Sequence, residues 1–382
     1  VKVQTHRVSV LELRGGVLPP HPSFKNDGST LILVFAPAGN DFNNFDDIIS
    51  YLQNYNNSFI AGCSGGGVIH ESCIFDDEMI VVQMAMEWTR LHVTFVNLAA
   101  SDSFSAGEQL AKTLSSPALS GMLVFSGGEI TSGSALAAGI NEVLKGSVPI
   151  LGALAGKINP AEQWTWVLDG TKIIATSAVG IGFYGPALHM FSSTASGWER
   201  EGLWLEVTKA EGREILELND RPALDVYSQY IGGLEAAALP VSAYRHPLAI
   251  LPKIMAISAN TCMVYDVDKG RRSLKVASEI VAGTTIQFMS ADQKQLVAGI
   301  EDAAILMGAV EPDESGLALI MSSVGRRAVL GSEAVEELLV VSKYVPGAVG
   351  FYSIGEFGPH LTNDLNYRSQ TAILAYLWEQ EP

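Results

Sequence analysis

Leu123-Val124-Phe125-Ser126-Gly127-Gly128 is a short apolar run closed by two glycines, and 90 residues earlier Leu33-Val34-Phe35-Ala36-Pro37-Ala38-Gly39 has the same shape. Each run precedes a helix-like stretch, 45–52 with Phe45, Ile48, Ile49 and Leu52 at helical spacing, and 134–144. Each stretch leads to a second apolar run and a second glycine loop. In the first copy Phe59-Ile60-Ala61 enters Gly62-Cys63-Ser64-Gly65-Gly66; in the second Pro149-Ile150-Leu151 enters Gly152-Ala153-Leu154-Ala155-Gly156. Phe35 to Gly62 is 27 residues, and so is Phe125 to Gly152, so the register holds across the whole unit. A polar turn and a further strand follow in each copy, 79–86 and 172–179.

A looser third copy lies near the C-terminus. There 317–321 reads as a strand, Ser322-Ser323-Val324-Gly325-Arg326 as its loop and 333–339 as a helix. Gly347-Ala348-Val349 then leads into Gly350-Phe351-Tyr352-Ser353-Ile354-Gly355-Glu356. Strands alternating with helices predict an α/β fold with parallel pairs, built from related strand–loop–helix–strand units. Glycine-rich loops at the strand ends are where such sheets let the backbone approach a ligand.

The segment between the second and third copies has another texture. Strand-like 203–208 and 213–218 flank Glu211-Gly212, a hairpin turn. Asn219-Asp220-Arg221-Pro222 reads as a helix start, with Asp220 as N-cap, Pro222 in the first turn and the helix running through Leu224, Tyr227 and Ile231. A second strand–turn–strand covers 262–265 and 273–276, and 290–307 is an amphipathic helix with Leu296, Ile300 and Ile305. These features divide the chain into a lead-in, 1–29, and two α/β domains, 30–220 and 221–382.

Composition narrows the function. In 382 residues the net charge is −17, with 48% hydrophobic and 17% charged residues. That excludes a disordered chain and supports a sizeable core. The negative charge disfavours nucleic acid and anionic membrane surfaces, which take basic partners. No run of 18 apolar residues occurs, and Val1 to Arg7 lacks the apolar core of a signal peptide. Cys63, Cys73 and Cys262 form no CxxC and no disulfide framework. A cytoplasmic globular protein, with no membrane insertion and no nucleic-acid partner, is the expectation.

Gly62-Cys63-Ser64-Gly65-Gly66 fits the G-x-S-x-G pattern, which needs a strand before the serine and a helix after it. The strand is present in the reading, but Val68 to Cys73 has no helical period and the second copy has no nucleophile at this place. The chain therefore reads as a non-enzyme, with a hydrolase or acyltransferase using Ser64 or Cys63 as the alternative. Gly152 to Lys157 is one residue short of a P-loop and has Ile158 where Ser or Thr must meet magnesium. Asp266 to Gly270 opens like a calcium loop but ends on Ala277 where a glutamate is required. The seven histidines form no zinc spacing. A haem needs only one axial ligand, and His189, His246 and His360 stand in aromatic or apolar settings. Arg326 could pair with a ligand carboxylate and Glu356, on a glycine loop, with a ligand amine.

Several of these segments carry a resemblance. Ile60 to Ser64 and Leu151 to Gly156 look like loops of the FIST N-terminal domain, and Val207 to Gly212, continuing to Arg221-Pro222-Ala223-Leu224, looks like the junction of the two FIST domains. Ser323-Val324-Gly325-Arg326 and Gly350-Phe351-Tyr352-Ser353-Ile354-Gly355-Glu356-Phe357-Gly358-Pro359 resemble the C-terminal domain signature. The chain thus resembles the FIST family of bacterial sensory proteins over roughly 30–375. Ser323 stands where the family often has a cysteine, and Leu365 to Arg368 where it often has a histidine. The resemblance implies a small-ligand sensor, for amino-acid-like molecules or, in some stand-alone members, haem that reports nitric oxide. It also implies a signalling partner such as a histidine kinase or a diguanylate cyclase or phosphodiesterase. With no output segment beyond the two domains, this sensor is expected to act on a separate protein. The expected ligand lining is Gly62, Cys63, Ser64, Gly152, Ser323, Arg326, Tyr352 and Glu356.

Overall fold

Three parallel strand pairs organise the chain: Thr30–Pro37 with Phe59–Gly65, Leu119–Ser126 with Ile150–Leu154, and Leu317–Ser323 with Val349–Ser353. They belong to a computed structural model that describes residues 1–9, 29–38, 45–55, 58–99, 101–128, 131–158, 164–170, 172–251, 260–310, 316–359 and 364–382. The predicted α/β class holds, and the third copy is as complete as the other two. In every unit the first strand of the pair also lies antiparallel to a later strand: Glu78–Ala85, Ser177–Tyr184 or Ala372–Glu379. That strand in turn pairs with the unit's opening strand, Lys2–Ser9, Arg90–Asn97 or Leu188–Ala195.

Each set of four strands is completed by a hairpin from another unit. The second unit's hairpin, Val167–Asp169 with Lys172–Ile174, adds to Phe59–Gly65 of the first. The third unit's, Gly355–Pro359 with Leu365–Arg368, adds to Ile150–Leu154 of the second. The first unit's, Val68–His70 with Cys73–Phe75, adds to Val349–Ser353 of the third. Three six-stranded sheets result, linked in a closed cycle. This exchange explains one difference from the sequence reading. The expected strand 172–179 is broken by a turn at Ala175-Thr176, because its halves belong to different sheets. The residues after Ser64 form a strand and not the helix that a nucleophile elbow requires.

Strand side chains alternate between two environments, as a period of two demands. Leu31, Leu33 and Phe35, with Leu123 and Phe125, and Leu317, Leu319 and Met321, face a single inner core shared by all three sheets. The rings of Phe35, Phe125 and Phe351 meet there, with centroids 5.8, 4.8 and 6.1 Å apart. Ile32, Val34 and Ala36 face outward beneath Ile48, Tyr51 and Leu52 of helix Phe45–Leu52. Met122 and Val124 do the same beneath helices Ser103–Leu114 and Gly133–Leu144. Ala318 and Ile320 lie beneath helices Gln293–Gly308 and Ala334–Tyr344. Coverage on both faces is why these strands read as continuous apolar runs.

The third unit carries an insertion between its opening strand and helix Gln293–Gly308. It contains an antiparallel sheet built on Glu199–Glu211, Glu214–Leu218, Leu248–Leu251, Val264–Asp268, Ser273–Val276 and Thr285–Ser290. The predicted helix is Ala223–Ile231, but Asp220 does not cap it: Pro222 is the N-cap, and Asp220 has φ of 59° with its N–H donated to Thr208 Oγ1. Leu218 pairs with Arg221 across residue 220, and Leu188–Ala195, which precedes that point, pairs with Ala372–Glu379.

Gly62, Gly152 and Gly350 occupy one equivalent place in the three units, opposite Val34, Val124 and Ile320. A Cβ there would lie 1.9, 1.8 and 1.7 Å from the facing carbonyl oxygen. Gly350→Ala is therefore expected to cost ~3 kcal/mol or more, the upper end of overpacking penalties. Gly212→Ala, in an open turn at φ of 57°, costs about 1 kcal/mol. Chemical denaturation of the two variants checks this, and equal losses would refute the close-approach account.

Candidate functional site

The glycine loops at the ends of the parallel pairs converge on the axis that relates the three units. Gly156 N donates to Ser64 O at 2.8 Å, Gly66 N to Tyr352 O at 2.7 Å, and Ile354 N to Leu154 O at 3.4 Å. Ser64, Leu154 and Tyr352 are equivalent positions, as are Gly66, Gly156 and Ile354, so the three bonds form a cyclic ring. The loops spend their small residues on one another: a Cβ on Gly156 would lie 1.9 Å from Tyr352 O.

Most of the residues expected to line a ligand are therefore absorbed into the framework. Gly62 and Gly152 sit inside strands against a neighbouring backbone. Cys63 points into the shared core, and burial pushes its thiol well above the usual range. Ser64 Oγ donates to Gly156 O at 3.1 Å and accepts from Trp166 N at 3.2 Å, which commits the hydroxyl to backbone groups. Ser323 caps helix Val324–Leu330 by accepting from Gly325 N. Arg326 is fully buried and is not offered to a ligand carboxylate. It pairs with Glu337 at 3.0 Å and donates to the carbonyls of Leu296, at 2.9 Å, and Ser196. Its neighbour Arg327 joins the third unit to the first, donating to Gly66 O at 2.6 Å and pairing with Asp76 while lying over the Tyr352 ring.

Glu356 is likewise buried, which corrects the expectation that it meets a ligand amine. It is held by Ser353 Oγ and by Thr371, whose N–H and hydroxyl donate at 3.2 and 2.7 Å. Burial outweighs these donors and pushes its carboxyl up to about 8. The neutral form suits the geometry. Ser353 Oγ also reaches Ser322 O at 3.3 Å, and one hydroxyl proton cannot serve both a carbonyl and a carboxylate.

A cavity of about 380 Å³ lies where the loop ends of the second and third units face the inserted sheet. Gly128, Leu154 and Lys157 come from the second unit and Ile354 and Tyr367 from the third. Arg213, Met263, Tyr265, Asp266 and Ala277 come from the inserted sheet and its flanks, and Pro240 and Tyr244 from the turn beside it. Leu154 and Ile354 are the partners of one bond of the axial ring, so the cavity sits directly on that ring. Arg213 donates to Thr131 O at 2.8 Å and lies 5.6 Å over the Tyr265 ring. Asp266 is bound by Lys275 at 2.8 Å and by Val267 N at 2.8 Å. Burial pulls the Lys157 amine below its usual range and pushes the Tyr244 hydroxyl up to about 12. Repeat spacing does not point to this cavity, because its walls come largely from the non-repeating insertion.

Among the described residues no histidine lines this cavity. His189 stacks on Trp378 with centroids 5.3 Å apart, and His246 faces Glu235 at 3.5 Å; neither lines the cavity. His360 lies outside the described residues. Among the described residues no group of His, Cys, Asp and Glu is placed to hold a metal ion, and no helix is long and apolar enough to cross a membrane.

Residues 30–221 match the FIST N domain and residues 223–359 the FIST C domain. The chain belongs to the FIST family. FIST domains are small-ligand sensing domains of signalling proteins. No curated protein sequence matches this FIST protein. Among solved structures, the crystal structure of cyanuric acid hydrolase from A. caulinodans is similar over 100% of this chain and 99% of its own, with 7% identity and a TM-score of 0.40. A likeness of that size says nothing of this chain's chemistry.

Two outcomes follow from the buried groups. Cys73 is exposed whereas Cys63 and Cys262 are buried with raised thiol pKa values. An alkylating reagent should therefore modify Cys73 in the native protein and the other two only on unfolding, as peptide mass mapping would show. The carboxyl of Glu356 binds its proton more tightly folded than unfolded, so its contribution to stability is present below about pH 4.5 and is lost as pH rises towards about 8. Glu356→Gln lacks that loss. Denaturation at several pH values should show the variant gaining on the parent between those limits; a constant difference would contradict the assignment.

Proposed function

We propose that this FIST protein is a small-ligand sensor that holds its ligand in the cavity between the inserted sheet and the loop ends of the second and third units. The observation that carries this reading is the origin of the walls. Lys157 and Leu154 stand on one side and Tyr244, Met263 and Tyr265 on the other, so an occupant touches both. A ligand held this way favours one relative pose of the two sides over another, and only such differential contact shifts a conformational equilibrium. A volume near 380 Å³ falls at the compact end of small-molecule sites, about 300–1,000 Å³. The reading includes a cytoplasmic location and a separate signalling partner, a histidine kinase or a cyclic-di-GMP enzyme, that responds to the pose. It is a binding function, because Ser64 and Cys63, the nucleophiles of the alternative reading, are committed to backbone and core. Among the described residues no histidine lines the cavity, so the haem alternative draws no support from it.

A thermal-shift screen of amino acids, carboxylates, nucleotides and haem tests the proposal. A ligand at 100 times its Kd stabilises the folded state by about 2.7 kcal/mol. The shift should vanish in Ala277→Trp, which fills the cavity. A ligand whose shift persists in that variant, or ester turnover that is lost in Ser64→Ala, would overturn the proposal.

A further inference from the structure

The hairpin that the third unit adds to the second, Gly355–Pro359 with Leu365–Arg368, has two unlike faces. Phe357 and Tyr367 oppose each other on the outward face, and Glu356 and Arg368 oppose each other on the opposite one. Tyr367 is a wall of the cavity. Its ring is lodged between backbones: a Cβ on Gly355 would lie 2.3 Å from the Tyr367 hydroxyl, and one on Gly133 2.2 Å from the ring. A displacement of this hairpin therefore displaces a cavity wall.

The other face holds a pairing that is not made. Directly opposed residues of an antiparallel pair have Cβ atoms about 4.5–5.5 Å apart, so Glu356 and Arg368 are within reach of each other. They share the face without forming an ion pair: Ser353 and Thr371 hold the Glu356 oxygens, and Arg368 Nη1 donates to Thr194 Oγ1 at 3.5 Å. That arrangement belongs to the neutral acid. Its O–H donates to Ser353 Oγ, whose own proton then goes to Ser322 O at 3.3 Å. Of the two cations near Glu356, Arg326 is committed to Glu337 and to the carbonyls of Leu296 and Ser196, which leaves Arg368. The Tyr367 hydroxyl, pushed well above its usual range by burial, stays protonated, and Ala153 on the neighbouring strand carries no charge.

We propose that this hairpin is a proton-operated switch on the cavity: on losing its proton Glu356 leaves Ser353 and Thr371, pairs with Arg368 and shifts Tyr367 on the other face. The proposal rests on the reading of the cavity as the sensory site and names what regulates it. In the step the acid O–H bond breaks, the proton passes to a base in solvent, and the electron pair stays on a carboxylate that the Arg368 guanidinium neutralises. A ligand that favours one setting of Tyr367 then binds with an affinity that depends on pH, and its binding shifts the Glu356 proton in return.

Solution NMR of the full chain, labelled with carbon-13 at the Glu carboxyls and the Tyr rings, tests this without a ligand. Glu356→Gln and Tyr367→Phe assign the two signals. The Glu356 carboxyl should titrate near pH 8, and the Tyr367 ring signal should move with the same midpoint. In Glu356→Gln, which keeps the shape of the neutral acid, the Tyr367 signal should hold its low-pH position throughout. Arg368→Met removes the partner of the ionised form and should raise the shared midpoint by about one pH unit or more. A Tyr367 signal that stays put while the carboxyl titrates would overturn the switch, and so would a midpoint unchanged in Arg368→Met. A Glu356 carboxyl that titrates in the ordinary carboxylate range would remove the neutral resting state on which it depends. With no ligand present these outcomes judge the switch alone, whereas a ligand shift that persists in Ala277→Trp refutes the sensory reading of the cavity.

Discussion

Three backbone hydrogen bonds, from Gly66 to Tyr352, Gly156 to Ser64 and Ile354 to Leu154, hold the units around their common axis. Backbones can meet there only if the loops carry little side chain. At Gly156 a Cβ has no room beside the Tyr352 carbonyl. The same demand recurs one step back, where Gly62, Gly152 and Gly350 let paired strands close on the carbonyls opposite. Around that framework the inner core draws one face from each sheet, and every outward face is covered by its own helices. Ion pairs then fasten unit to unit: Arg327 on Asp76 and Gly66 is the clearest, and Arg326 on Glu337 anchors helix to helix within the third. A buried pair such as the latter specifies an arrangement more than it adds net stability, since desolvation consumes much of the attraction.

The sequence made the repeating unit legible because strand and loop spacing survive substitution; the same 27-residue interval links Phe35 to Gly62 and Phe125 to Gly152. The third copy read as loose because the insertion separates Leu188–Ala195 from the rest of its unit. The hairpin exchange left no trace that periodicity could catch, since Val68–His70 and Val167–Asp169 are three residues each and the strands they join lie in other units.

The site was harder to read than the fold. Glycine is needed wherever a backbone must come close, whether the visitor is a ligand or another loop, and its spacing does not say which. Arg326 and Glu356 illustrate the second difficulty. Charged residues on glycine loops look available, and only the packed structure reveals that Glu337, Ser353 and Thr371 already answer them. The cavity draws on Tyr244, Tyr265 and Lys157, which no repeat relates and which only folding brings together.

The cyclic exchange of hairpins also orders events in time. Val68–His70 finds its partner in Val349–Phe351, about three quarters of the chain later, so during synthesis the first unit emerges with one strand pair that nothing yet made can complete. Until then the segment is an open edge of the kind that seeks other chains. The last third of the polypeptide does not dock onto a finished body; its arrival closes a loop in which each unit supplies an edge to one neighbour and receives one from the other. Contacts that span so long a stretch of sequence must offset their loop-closure entropy before they reward it, which slows folding.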